Sequence, residues 1–76
     1  MIEELDRVVL TVDLPEHGLH RGDIGTVVLV HGDEGFEVEF VALDGATIAV
    51  ETLMRDQVRA IGPNEVAHSR QLNNPA

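Results

Sequence analysis

A chain of 76 residues holds one domain at most, and with no cysteine it has neither disulfide staples nor thiolate metal ligands, so packing must hold it together. Fourteen acidic side chains stand against five arginines and no lysine; the formal charge of −9 repels a phosphate backbone and sets nucleic acid aside as a partner. No apolar run approaches the roughly 18 residues of a membrane helix, and Met1–Arg7 has neither a basic region nor a long apolar one, so a cytoplasmic protein with no membrane partner is expected.

Residues 1–6 read as a lead-in, anchored by Ile2 and Leu5. Alternation of Val8, Leu10 and Val12 with Arg7, Val9 and Thr11 predicts a first strand over 7–12. Pro15 and Gly18 break the pattern into a long loop, which Leu14 and Leu19 tuck back onto the body of the domain. Gly22 and Gly25 then open the run Ile24–His31, apolar on both faces. Gly22 suits a turn with positive φ and Gly25 a bulge or close approach at the corner of a small closed sheet.

His31–Gly35 reads as a hairpin loop, and 36–42 as the clearest strand, with Phe36, Val38 and Phe40 on one side and Glu37, Glu39 and Val41 on the other. Asp44-Gly45 is a turn signal leading into a strand over 47–52, with Ile48 and Val50 inward and Thr47, Ala49 and Glu51 outward. Residues 53–57 are too few for a useful α-helix and predict a single helical or 3₁₀ turn before a last strand over 58–61, stopped by Gly62-Pro63. The expected core is Leu5, Val8, Leu10, Val12, Leu19, Ile24, Val28, Val30, Phe36, Val38, Phe40, Ile48, Val50, Leu53, Val58 and Ile61. From Asn64 the composition turns polar. The reading is therefore all-β: a five-stranded SH3-like barrel over residues 1–62 and a flexible tail over 63–76.

Glu37, Glu39 and Glu51 are expected to project together from the outer face of neighbouring strands, forming a protein-binding face unless Arg7, Arg55 or Arg59 answers them. His17 and His20, with Glu16 or Asp23 nearby, have the residue types of a zinc site, but spacing alone does not make one. No metal and no cofactor is assigned. The acidic turns Asp44-Gly45 and Gly32–Gly35 lack the ligand count of a calcium loop and the lysine of a phosphate loop. No nucleophile or cleft-forming constellation is visible, and the expectation is a chain that is not an enzyme.

Taken together, Leu5-Asp6-x-Val8-Val9-Leu10, Asp13-Leu14-Pro15, Gly18-Leu19, Arg21–Val28, Glu37–Phe40, Leu43-Asp44-Gly45, Thr47–Val50 and Gln57-Val58-Arg59 resemble a small bacterial family catalogued as domain of unknown function 4926 (DUF4926). That resemblance implies an SH3-like barrel and assigns no activity. Looser likenesses join Leu14-Pro15-x-His17 and Arg21–Gly32 to the barrel of the nitrile hydratase β subunit, and the same glycines with Val27 to the KOW segment of ribosomal and transcription-factor barrels. The first implies an accessory subunit or maturation factor of a metalloenzyme, the second an RNA-binding barrel whose basic surface is missing here. The leading expectation is an interaction module whose partner is another protein or a second copy of the chain, with an antitoxin-like or immunity-like role as one version.

Overall fold

The computed structural model describes residues 1–72. They form five antiparallel strands in one sheet: β1 (Arg7–Leu10), β2 (Ile24–His31), β3 (Gly35–Val41), β4 (Thr47–Met54) and β5 (Val58–Ala60). The spatial order is β4-β3-β2-β1-β5, so the chain's first strand is flanked by its second and its last. Single 3₁₀ turns, Pro15–His17 and Arg55–Gln57, interrupt the connections before β2 and before β5. All five expected strands form, in an all-β arrangement consistent with the expected SH3-like meander.

The interior is made by Val8, Leu10, Leu19, Val27, Phe36, Val38, Phe40, Leu53 and Val58, each nearly or wholly buried. The loop before β2 folds back as expected, through paired backbone hydrogen bonds between Leu14 and Leu19 that hold Leu19 in the core. Gly22 takes φ +97° in the turn leading to β2, and Gly45 φ +93° in the β3–β4 turn, where Asp44 Oδ1 accepts the Ala46 N–H at 2.9 Å. Gly25 is buried for a different reason. A Cβ there would lie 2.5 Å from Val38 Cγ1 and 2.9 Å from Phe40 Cε1, so its bareness makes room for the two side chains that fill the interior.

Expectations about the bulge and about facing need correction. The register shift in β2 falls around Val28, between Val27 and Leu29, rather than at Gly25, where the β1 pairing is regular. The extra residue reverses the facing: before it Val27 is fully buried and Ile24, expected inward, pairs with Val9 on the outer face; Val28 is 40% exposed, and beyond it Val30 packs against the core as expected. A second shift, between Phe40 and Val41, does the same to β4. Phe40 pairs with Ala49 and Phe36 with Leu53, which sends Val50 outward and brings Ala49 and Glu51 onto the inward side. Leu5 is not a core residue: it is 79% exposed and sits at φ +73° in a turn whose N–H bonds to the Val27 carbonyl. Val9, expected outward, does point away from the interior yet is only 7% exposed.

The last strand ends at Ala60, one residue before its expected end, and residues 63–72 have no regular secondary structure, as expected, but pass beside the sheet. Val9, Ile24 and Arg7 form one wall of a groove of about 490 Å³ whose other wall includes Ile61, Val66 and His68. Arg59 holds Glu65 at 2.8–2.9 Å, and Arg70 reaches back to Asp23 and the Gly18 carbonyl. These contacts tie the first part of the expected tail at Glu65 and Arg70, and residues 73–76 lie outside the described residues.

Candidate functional site

Glu37 and Glu39 stand two apart on β3, so both carboxylates leave the same outer face of the sheet. Across the strands Glu37 is flanked by Leu29 and Thr52, and Glu39 by Thr26 and Val50. Glu37 Oε2 accepts the Thr52 hydroxyl at 2.6 Å and His31 Nε2 at 2.7 Å, while Glu39 Oε2 accepts the Thr47 hydroxyl at 2.8 Å. The Thr52 hydrogen bond, then that of His31, hold the Glu37 carboxyl below its ordinary range. Around these two acids Leu29, Val41, Val50 and Met54 are 44–53% exposed. The face is therefore a pair of anions framed by aliphatic side chains.

Among the described residues no arginine answers those anions. Arg59 is committed to Glu65, Arg55 donates to the Asp33 carbonyl at 3.3 Å, and Arg7 takes part in none of the ion pairs among the described residues. Glu51 does not share the face. Paired with Val38, it projects from the inward side at the rim of the sheet, where its side chain is 22% exposed and Oε1 lies 3.0 Å from His17 Nε2. The reason is the register shift that turned β4 over. The usable sign was Leu53, an expected core residue two positions on, since residues two apart share a face.

His17 thus points at a carboxylate on β4, while the His20 backbone N–H donates to Asp23 Oδ2 at 2.8 Å. Among the described residues no three His, Asp or Glu side chains converge in a way that would hold a metal ion. His31, at the end of β2, reaches Glu37 on the neighbouring strand.

A second polar constellation was not legible in the sequence. Asp23, in the turn before β2, receives the Arg70 guanidinium through both oxygens, Nε to Oδ1 at 2.9 Å and Nη2 to Oδ2 at 2.6 Å. Burial raises the Asp23 carboxyl's pKa, but hydrogen bonds from Arg70 and the His20 N–H, with the charges of Arg70 and His20, outweigh it and leave it below its ordinary value. Nothing in a pair separated by 47 residues advertises such a contact.

The family model described as Domain of unknown function (DUF4926) matches residues 4–60. The chain belongs to this family. The match takes in all five strands, the Glu37/Glu39 face and Asp23, and it stops before Glu65 and Arg70. No curated protein and no solved structure matches the chain.

Proposed function

We propose that this DUF4926 domain is a non-enzymatic, cytoplasmic interaction module that docks a basic partner protein on the outer face of β2–β3–β4. The supporting observation is the composition of that face: two carboxylates held by hydroxyls and one histidine, without an arginine counter-ion, inside a frame of half-exposed aliphatic side chains. An arginine or lysine with apolar neighbours complements it in both respects, since the charge supplies orientation and the aliphatic frame supplies buried area. The edge strand β4 borders the same face and offers backbone groups for further pairing. An antitoxin-like or immunity-like role, in which a small acidic chain covers a larger basic protein, is the specific form that the charge of −9 fits.

The test compares the wild-type chain, Glu37→Lys/Glu39→Lys, and a control reversal, Glu3→Lys/Glu4→Lys, which changes net charge equally but lies at the N-terminus. Each is used to capture proteins from the native cell. A stoichiometric basic partner retained by the wild type and the control, and lost with the β3 reversal, is expected. Capture of the same proteins by all three chains, or of none, overturns the proposal.

A further inference from the structure

A separate surface carries a second binding site, independent of the acidic face. We infer that Asp23 and the Gly18 carbonyl form a socket for the guanidinium of an extended segment of another protein, and that the chain's own Arg70 is its resident, displaceable occupant. The contact set is that of arginine recognition: Asp23 takes the planar fork through both oxygens, and Nη2 also donates to Gly18 O at 3.0 Å. The Asp23 side chain is 18% exposed and that of Arg70 27%, so the pair is partly shielded from water.

The socket is assembled without help from the tail. Asp23 N–H donates to the His20 carbonyl and its Oδ2 accepts the His20 N–H; the Gly22 N–H and the Asp23 carbonyl both bond to Leu10 of β1. The sheet therefore fixes the carboxylate before any arginine arrives. Beside it lies a groove of about 480 Å³, lined by Pro15, His17, His20 and Ile48 and, from the tail, by Arg70 and Leu72. In an extended peptide side chains two apart share a side, so the site selects an arginine followed two residues later by a large apolar residue.

The receptor residues Gly18, His20 and Asp23 fall within the family match, whereas Arg70 and Leu72 fall outside it, and the segment carrying them has no ladder to anchor it. The socket belongs to the domain and its occupant to an appendage. A second copy's tail is the wrong competitor: it has the same intrinsic affinity but must displace a tethered ligand at roughly millimolar effective concentration. A segment of another protein with a better arginine-apolar pair faces no such symmetry.

The acetylated, amidated peptide His-Ser-Arg-Gln-Leu, copying residues 68–72, serves as the probe. It is titrated into full-length ¹⁵N-labelled wild type, Arg70→Ala and Asp23→Asn/Arg70→Ala while the Gly18, His20 and Asp23 amides are followed. Vacating the socket is expected to tighten peptide binding by about tenfold or more over the wild type, as when a site goes from one-tenth to fully available. The added Asp23→Asn is expected to abolish binding, and a peptide with lysine for arginine to bind several-fold more weakly. Equal binding to wild type and Arg70→Ala, or binding indifferent to Asp23→Asn, overturns the socket. Should Arg70→Ala not fold, the wild type decides: millimolar peptide must move the Arg70 Nε–H resonance, and a resonance unmoved at that concentration overturns the proposal. An Arg70-dependent dimer in light scattering also overturns it, by assigning the socket to a second copy.

Discussion

The β2–β3–β4 side and the β1–β5 side of this sheet share one interior but differ on their outer faces. On the first, Glu37, Glu39, Val50 and Thr52 meet solvent; on the second, Val9 and Ile24 line a groove shared with residues of the tail. Strand alternation is a signal of one wet face and one dry face. It is therefore readable on β3, where Phe36, Val38 and Phe40 go inward as expected, and misleading on β1, where Val9, between Ile24 and Arg59, is only 7% exposed on the outer side.

Four measurements break or sharpen that contrast. The largest effect is expected from Phe40→Ala, which removes a fully buried ring from the interior common to both sides; urea unfolding should show a loss of about 3–5 kcal/mol in one transition. Separate transitions for the two sides would mean that they do not share a core. Gly25→Ala follows, at about 1–3 kcal/mol, because the new methyl collides with Val38 and Phe40. The third is a paired comparison of two outward valines. Val9→Ser should cost about 1–2 kcal/mol and Val50→Ser less than about 0.5, because only the former is buried. Equal costs would show that the two outer faces are equally open.

The smallest effect is a pH dependence confined to the tail. Asp23 has a lowered carboxyl pKa when folded, so its contribution is fully present above the ordinary value of 3.8 and fades as the pH falls through the folded value. Being a partly exposed ion pair, it should contribute no more than about 1 kcal/mol. In acid, amide exchange at residues 66–72 should accelerate before that of β3, and simultaneous acceleration would show that the tail is part of the cooperative core.

What was legible in the sequence, and what was not, follows from the same physics. The five strands, the two hairpins and the turns at Gly22 and Asp44-Gly45 are local features with local residues behind them, and they formed as expected. The facing of β2 before its register shift and of β4 beyond its own was not, because each shift inserts one residue into a period of two, and neither Val28 nor Ile48 carries a side chain that announces it. Hence Val28 was placed inside and Glu51 outside, each the reverse of what is found. Within the candidate site Glu37 and Glu39 were correctly paired, since they lie within one regular strand. The Asp23–Arg70 contact depends on where the tail travels, which no local pattern encodes.

The pairing of Val8 with Ala60 has a consequence for how the molecule is made. A ribosome delivers the first strand early, yet one of its two hydrogen-bonding sides has no mate until residue 60 has left the exit tunnel. Until Val58–Ala60 emerge the nascent chain therefore displays an open ladder at β1, which the last strand of the domain completes.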